Sequence, residues 1–223
     1  MANDAPDAAK PVRVLDLYRG LGFRARLQAL QRWLCTPYPA VEKFVPPSGV
    51  ILDLGAGTGM FANCMALASP RRLVIGVDIS EGKIAVANRT IRDRKNISFR
   101  VADLRTVPIE RCSAVTFYDV LHHLSYNVQE DILMRCREKL VPSGVLVIKE
   151  NSTRPLWKHL VNHAVESAAA GFRVTTGEGI HFRTPEQWES LLRRIGFTVE
   201  TTLISTRHPW SHIVFVCGKT GDP

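Results

Sequence analysis

The stretch Val50-Ile51-Leu52-Asp53-Leu54-Gly55-Ala56-Gly57-Thr58-Gly59 decides the fold of this 223-residue chain. An apolar run that ends in an acid leads into glycines at every second position, and an apolar, helix-compatible segment follows. A strand that turns sharply into a helix needs such glycines, because a residue without Cβ takes unusual backbone angles at little cost and lets a ligand approach. The first N–H groups of the helix then lie beside the turn, where they can bind a polar ligand.

Apolar strands and helices alternate along the chain around this turn. Strands are predicted at 50–54, 73–78, 97–101, 113–118 and 145–149, and helices near 58–68, 81–94 and 127–140. Near-continuous apolar strands that alternate with helices indicate a parallel sheet covered on both faces. A capped helix over 184–195 precedes strands near 198–205 and 211–217, which are predicted to form a hairpin with one strand antiparallel to the rest. The predicted fold class is α/β, with a single doubly wound, mostly parallel sheet.

The chain is predicted to consist of a terminal segment, a helical extension and one α/β domain. Residues 1–10 are small and polar, which is typical of disorder. Residues 11–48 are a basic helical extension, in which an amphipathic helix is predicted over 23–35. Its apolar residues at helical spacing are Phe23, Leu27, Leu30 and Leu34. The domain spans 49–219 and has an insertion at 151–183, where a short crossover would suffice. Long insertions at strand ends are commonly binding loops, so we expect a lid.

Composition argues against a membrane-spanning protein and against a disulfide framework. No apolar run approaches the ~18 residues that cross a bilayer. The five cysteines are odd in number, scattered and without a C-x-x-C pair. This favours reduced, buried thiols over disulfides or a zinc site. The expected location is therefore cytoplasmic, and peripheral contact with a membrane stays open.

Most of the excess positive charge lies in the helical extension. The net charge is +8, and between Lys10 and Cys35 six cations face one acid, Asp16. Such a segment is suited to an anionic membrane surface, a nucleic acid or an acidic substrate, and a solvated helix face is the simple alternative. The chain lacks the motifs typical of RNA-binding and zinc-finger proteins, so nucleic acid is not the favoured partner. A peripheral anionic membrane contact through residues 11–35 remains open.

Acids follow several of the predicted strands at one edge of the sheet. In an open α/β sheet, ligands bind beyond the carboxyl ends of the strands, where Asp53, Asp78, Asp103 and Asp119 lie. Acids there often cap helices or form turns. So many carboxylates suit an adenosine that bears a cation better than a nucleotide with phosphates. Asp78 is placed to accept hydrogen bonds from both ribose hydroxyls.

These motifs resemble those of the class I S-adenosylmethionine-dependent methyltransferases. Five ordered segments carry the resemblance: 52–59, 76–80, 101–104, 118–124 and 140–144. The similarity covers roughly residues 40–218, and the pattern looks like the small-molecule branch that includes quinone, sterol and natural-product methyltransferases. It implies a seven-stranded Rossmann-like sheet with S-adenosylmethionine as cofactor. The cofactor-binding residues that it implies are Asp53, Gly55, Ala56, Gly57, Asp78, Ile79, Asp103, Leu104, Tyr118 and Asp119.

The histidine pair after the fourth strand supplies the candidates for acid–base chemistry. Methyl transfer is an in-line displacement in which the leaving group needs no proton, so catalysis can consist mostly of positioning and desolvation. A base is needed when the acceptor is a hydroxyl or an acidic carbon. His122 and His123 lie at the expected place, and His123 is favoured. The alternative is that both histidines shape the pocket.

The insertion and its surroundings supply the candidates for the acceptor pocket, which we expect to take a small, fairly apolar molecule. The candidate residues are Glu150, Trp157, Phe172 and His181, with Phe182 as a further aromatic. His159 and His163 lie one helical turn apart, with Glu166 three residues on. That spacing can bind a metal, but a solvated face is the favoured interpretation, so no metal is expected.

Three functions are alternatives to a small-molecule methyltransferase. A dinucleotide-dependent oxidoreductase needs a third spaced glycine where Met60 stands. A methyltransferase of RNA or protein would use the basic extension, but the Asn/Asp-Pro-Pro-aromatic motif of many such enzymes is absent. A catalytically silent, cofactor-binding scaffold of the same fold is the third.

Overall fold

One sheet organises the protein, whose computed structural model describes residues 11–151, 181–204 and 212–219. Its strands are β1 Gly49–Leu54, β2 Arg72–Asp78, β3 Ile97–Val101, β4 Cys112–Tyr118, β5 Leu140–Asn151, β6 Phe197–Ile204 and β7 His212–Lys219. Their order in the sheet is β3-β2-β1-β4-β5-β7-β6. Neighbours from β3 to β5 are parallel, and β7 is antiparallel to both β5 and β6. The predicted seven-stranded, mostly parallel α/β sheet with an antiparallel C-terminal hairpin is confirmed.

Helices precede the sheet and connect its strands. They are α1 Pro11–Asp16, α2 Phe23–Cys35, α3 Tyr38–Glu42, α4 Met60–Ala68, α5 Glu81–Asn88, a 3-10 helix Leu121–His123, α6 Tyr126–Lys139 and α7 Pro185–Ile195. The predicted start of α7 is confirmed, because Thr184 and Gln187 form a reciprocal capping box. Gly196, with φ of +97°, follows its last turn.

Strand β1 shows that both faces of the sheet are covered. Ile51 belongs to a buried cluster that includes residues of α1, α3, α4 and α5. Leu52 and Leu54 belong to a second cluster that includes residues of α6 and α7. Successive side chains of a strand point to opposite faces, so β1 is apolar on both. The doubly wound arrangement is thereby confirmed, and Asp53 lies on the same face of β1 as Ile51.

Two element boundaries differ from the sequence prediction. The helix predicted near 81–94 ends at Asn88, and Arg92 has a left-handed φ of +52°, which an α-helix does not permit. Strand β5 begins at Leu140 rather than at 145, because Leu140 already pairs with Cys112. The pairing shifts register between Cys112 and Ala114, so the predicted turn at 142–144 lies within the irregular start of the strand.

All five cysteines are unbridged, and four of them are buried. Burial raises the pKa of the Cys64 and Cys217 thiols to about 12 and that of Cys112 to about 11. Thiols with such values are poor nucleophiles, because the thiolate is the reactive form. These cysteines therefore act as small core residues, as the sequence predicts.

A buried ion pair joins the helical extension to the start of β2. Arg72 is almost fully buried, and its guanidinium contacts the Glu42 carboxylate at the end of α3. Its Nε donates to the carbonyl of Pro46 at 2.7 Å, and its Nη2 donates to that of Val45 at 2.7 Å. Its Nη1 also donates to the carbonyl of Met65 at 3.0 Å. Additional hydrogen bonds of this kind are what make a buried charge pair tolerable.

We expect Arg72→Ala to lower the free energy of unfolding by about 3–5 kcal/mol, because it leaves the Glu42 carboxylate buried without its partner. Urea unfolding followed by circular dichroism measures this change. Arg71→Ala is the matched control, since Arg71 is the exposed neighbour and should change stability by no more than about 0.5 kcal/mol. Equal unfolding midpoints for the two variants would contradict the role given to the ion pair.

Candidate cofactor and acceptor site

The turn between β1 and α4 has a left-handed backbone at three glycines. Gly55, Gly57 and Gly59 have φ of +84°, +56° and +82°. A Cβ on Gly55 would lie 2.4 Å from Cγ2 of Val120, and one on Gly59 would lie 2.6 Å from the ring of Phe99. Both the conformation and the close approach therefore require glycine here. The alternating glycines of the sequence follow from these two constraints.

The end of β2 holds this turn in place. The N–H groups of Gly55 and Ala56 donate to the carbonyl of Val77 at 2.8 and 2.9 Å. The N–H of Gly57 donates to Oδ2 of Asp78 at 2.9 Å. The two sequence motifs that carry the predicted cofactor residues are thus hydrogen-bonded to each other.

Asp78 is buried at the mouth of this turn. Besides the bond from Gly57, it accepts one at Oδ1 from the N–H of Ser80 at 2.9 Å. Each carboxylate oxygen can accept more than one hydrogen bond, so Asp78 keeps acceptor capacity for two hydroxyl groups. Ile79, the next residue, is exposed and offers an apolar surface beside it.

Asp53 is fully buried, and one of its two carboxylate oxygens accepts a side-chain hydrogen bond. Oδ1 accepts a hydrogen bond from Oγ1 of Thr116 at 2.7 Å. Oδ2 has no hydrogen-bond partner in the part of the chain that the structure describes. Burial raises the pKa of Asp53 to about 7, against the lowering effects of the bond from Thr116 and of the backbone N–H of Ala62. A buried acceptor oxygen beside a glycine turn fits a cationic ligand group, because an ammonium would satisfy both its charge and its lone pairs.

Asp119 has a cationic partner within the chain. The ammonium of the buried Lys149 lies 2.6 Å from both carboxylate oxygens of Asp119. Burial would raise the pKa of Asp119, but the Lys149 ammonium outweighs it and holds this pKa below its usual value. Asp119 also has a left-handed φ of +54°, which aspartate tolerates better than most residues. The negative charge of Asp119, one of the predicted cofactor-binding acids, is thus already neutralised by Lys149.

Tyr118 belongs to an aromatic cluster next to this pair. Its ring centroid lies 4.9 Å from that of Tyr38 and 4.7 Å from that of Phe61. Its buried hydroxyl has no hydrogen-bond partner among the described residues, and burial raises its pKa well above the usual value. The Lys149 ammonium lies 5.2 Å from the ring centroid. Tyr118 therefore joins α3 and α4 to the ion pair.

Asp103 is paired with a residue that sequence reasoning missed. Nη2 of Arg105 lies 2.6 Å from Oδ2 of Asp103, and the side-chain hydrogen bond of Arg105 lowers the pKa of Asp103. Leu104, one of the predicted cofactor-binding residues, is buried in the cluster on the α6 face. An aspartate followed two residues later by an arginine is the sequence signal that could have indicated this pairing.

The carboxylate of Glu150 binds two residues of the 3-10 helix. Its Oε1 accepts from the N–H of Leu121 at 3.0 Å, and its Oε2 lies 2.6 Å from Nδ1 of His122. Both Glu150 and His122 are almost fully buried. The His122 ring also stacks on Phe182, with centroids 4.9 Å apart. In the described residues, Glu150 therefore contacts His122 and backbone, and it sets the orientation of the histidine.

His123 is the less buried member of the pair. Its ring centroid lies 4.1 Å from that of His122. Burial lowers the pKa of His123 to about 3, and nearby positive groups, among them Arg32 of α2, add to this shift. His123 is therefore neutral at physiological pH, so a ring nitrogen is available to accept a proton.

Gln129 connects the histidines to the end of the insertion. This buried side chain of α6 donates from Nε2 to the carbonyls of Leu121, Leu124 and His181 at 3.0, 2.9 and 3.1 Å. The N–H of His181 in turn donates to the carbonyl of His122 at 2.7 Å. Sequence reasoning missed Gln129, because its role depends on three carbonyls that the fold brings together.

The helical extension reaches the glycine turn from the other side. The hydroxyl of Tyr18, which follows α1, donates to the carbonyl of Thr58 at 2.8 Å. Asn63 of α4 donates to the same hydroxyl at 3.3 Å and to the carbonyl of Gly59 at 2.7 Å. Sequence reasoning did not single out Tyr18 or Asn63. Their contacts make α1 part of the support of the turn.

Several predicted residues lie outside the described residues. These are Trp157 and Phe172 of the acceptor pocket, and His159, His163 and Glu166 of the alternative metal site. Within residues 11–151, 181–204 and 212–219, no cluster of three or more His, Cys, Asp or Glu residues could hold a metal ion.

Comparison with known proteins agrees with this geometry. Residues 51–144 match the protein family described as a methyltransferase domain. The chain is 28% identical over 181 residues to the highly reducing polyketide synthase ALT1 of Alternaria alternata, covering 74% of this chain and 7% of that protein. It is 24% identical over 163 residues to the demethylmenaquinone methyltransferase of Thermotoga maritima, covering 67% and 70%. The crystal structure of human N-acetylserotonin methyltransferase with S-adenosylmethionine matches with a TM-score of 0.65 at 22% identity, covering 92% of this chain and 58% of that one.

The sheet order, the glycine turn and the family match define a Rossmann-like methyltransferase domain. Residues 51–144 carry the family match, and the resemblance to class I S-adenosylmethionine-dependent methyltransferases found in the sequence is confirmed. It spans 7% and 44% of the length of the first two curated relatives that it matches. The roles of individual site residues stay predictions.

Asp53→Asn is expected to raise the melting temperature of the cofactor-free protein above about pH 7 and to leave it near the wild-type value only below about pH 4. Because burial raises the pKa of Asp53 to about 7, folding favours the protonated carboxyl. The stabilisation from that proton is full below the ordinary pKa of 3.8 and is lost progressively as the pH rises to about 7, whereas asparagine carries no charge and still accepts the bond from Thr116. Melting curves across this pH range measure the difference.

Asp93→Asn is the matched control, since Asp93 is exposed. It should show the wild-type pH profile. Parallel profiles for Asp53→Asn and the wild type would show that burial does not raise the pKa of Asp53.

Proposed function

We propose that this chain transfers the methyl group of S-adenosylmethionine to a hydroxyl, amine or carbon of a small, fairly apolar acceptor. The observation that carries the proposal is the unpartnered Oδ2 of the buried Asp53 beside the left-handed glycine turn. The family match supports the reaction type. The names of the relatives, a demethylmenaquinone methyltransferase among them, support a small-molecule acceptor.

The residues around the turn fit the chemical groups of this cofactor. Oδ2 of Asp53 would accept from the ammonium of the amino-acid tail, and the glycines leave room for that tail and the sugar. Asp78 would bind the ribose hydroxyls with its remaining acceptor capacity. Asp103 would accept from the adenine amino group while it stays paired with Arg105. When bound, S-adenosylmethionine supplies a methyl group on a positively charged sulfur.

His123 is the residue that we assign to the proton of an acceptor hydroxyl. It is neutral in the free protein, because burial and neighbouring cations disfavour the imidazolium. An acceptor oxygen that becomes negative beside the ring would favour the protonated form and so raise the affinity of His123 for the proton. We propose that His122, held by Glu150, has a positioning role instead.

Asp78→Asn is expected to raise the Kd for S-adenosylmethionine by at least about tenfold, because a charge-assisted hydrogen bond to a ribose hydroxyl is lost. Isothermal titration measures the Kd, and thermal unfolding without ligand reports any damage to the turn. Asp93→Asn, an exposed aspartate, should bind as the wild type does. Wild-type affinity in Asp78→Asn would refute the assignment of Asp78 to the ribose.

The reaction is tested with S-adenosylmethionine that carries a radiolabelled methyl group, added with the protein to a cell extract. We expect the label in extracted small molecules. If the acceptor is a hydroxyl, His123→Ala should lower this transfer by about 10²-fold or more, with the Kd for S-adenosylmethionine unchanged. An unchanged rate in His123→Ala would contradict its role as a base.

The distribution of the label also decides between the alternative functions. Label in RNA or in protein would contradict the small-molecule acceptor and favour the substrates suggested by the basic extension. Cofactor binding without any labelled product would favour a silent scaffold of the same fold.

A further inference from the structure

Helix α2 presents an apolar face to solvent. Phe23, Leu27, Leu30 and Leu34 recur every three or four residues and therefore share one side of the helix. The exposed fractions of these residues are 78%, 54%, 43% and 57%, respectively. The amphipathic helix predicted from the sequence is therefore present, but its large apolar residues do not pack on the domain. Four such residues in a row form an apolar patch of the kind that marks an interaction site.

The domain packs against a side of α2 other than this apolar face. Ala29 is buried, and the half-buried Ala25 and Trp33 pack against the core cluster on the α4 face. The centroid of the Trp33 ring lies 5.8 Å from that of Tyr38. Packing on the domain therefore does not require the large apolar face, and that face is available to a partner.

The charges next to this face are all positive. Arg24 and Arg26 are exposed and flank the apolar face, Arg32 is exposed on the opposite side of α2, and the sequence has no acidic residue between Leu17 and Val41. A second copy that docked by two-fold symmetry would place these arginines near each other without acids to pair with them. An anionic lipid surface satisfies both features, since its headgroups pair with arginine and its acyl region accepts the apolar side chains.

We infer that α2 binds in the plane of an anionic membrane, with its apolar face turned toward the lipid. The helix has 13 residues, so it is about 20 Å long and suits the interface rather than a crossing. Among the described residues, no helix combines the length and the apolarity of a membrane span.

Helix α2 lies next to the candidate site, which is on the side of the helix opposite its apolar face. Nη1 of Arg32 lies 3.7 Å from the position that a Cβ on Gly57 would take. The charge of Arg32 also helps to lower the pKa of His123. Membrane-bound α2 would therefore hold the glycine turn one helix diameter, roughly 10–12 Å, from the lipid. On the basis of the proposed function, we expect the acceptor to be an apolar molecule that partitions into the bilayer.

Co-sedimentation of the full chain with vesicles tests the surface without cofactor or acceptor. We expect the wild type to bind phosphatidylcholine vesicles that contain phosphatidylglycerol, and to bind pure phosphatidylcholine weakly. The double variant Leu27→Ser, Leu34→Ser should lower the partition coefficient by at least about tenfold, because it removes apolar area that the lipid would bury. Arg24→Gln with Arg26→Gln should weaken binding to the anionic vesicles alone, as high salt does.

Leu203→Ser is the matched control, because Leu203 is an equally exposed leucine on β6, at 68%, and should leave binding unchanged. Circular dichroism checks that each variant is folded. Wild-type protein that stays in the supernatant, or undiminished binding by the double leucine variant, overturns the proposal. So does sedimentation velocity that finds a wild-type dimer and a monomeric leucine variant, since a second copy would then cover the face. Titration with S-adenosylmethionine is independent of all these outcomes, so failure of the surface and failure of the proposed function are distinguishable.

Discussion

The hydrogen bonds between the turn after β1 and the end of β2 are the constraint on which the site depends. The turn can pass from strand to helix because three glycines take left-handed angles that other residues resist. The N–H groups of Gly55 and Ala56 donate to the carbonyl of Val77, and that of Gly57 donates to the carboxylate of Asp78. The parallel pairing of β1 with β2 therefore positions Asp78, the acid proposed to bind the ribose. Helix α4 begins directly after the turn, at Met60.

Carboxylates at the same edge of the sheet have different electrostatic states. Asp119 has a buried ammonium against both oxygens, and its pKa is lowered. Asp53 has a hydroxyl donor at Oδ1, its Oδ2 makes no hydrogen bond of good geometry to a described residue although the backbone N–H of Ala62 lies near the carboxylate, and its pKa is raised. A ligand cation gains far more from Asp53 than from Asp119, because Lys149 has already neutralised the latter. Position at a strand end is thus not sufficient to define a cofactor residue.

The sheet and its acids could be predicted from the sequence, whereas their partners could not. Apolar periodicity and the order of elements fix which strand ends share an edge, so Asp53 and Asp78 could be placed together before any coordinates. The pairing of Asp119 with Lys149 depends on the register between β4 and β5. The link through Gln129 depends on how α6 packs. Periodicity also found the large apolar stripe of α2, but it could not show that the domain packs on another side of the helix.

The buried carboxylate of Asp53 has a consequence for the protein in the cell. Above neutral pH the free protein carries an ionised group that burial disfavours, and a ligand ammonium would remove that cost. A ligand that binds the folded chain and not the unfolded one lowers the unfolded fraction. Proteases remove unfolded molecules continuously, so the lifetime of this protein would rise and fall with the supply of its cofactor. The abundance of the protein would then follow the concentration of that ligand without any dedicated regulator.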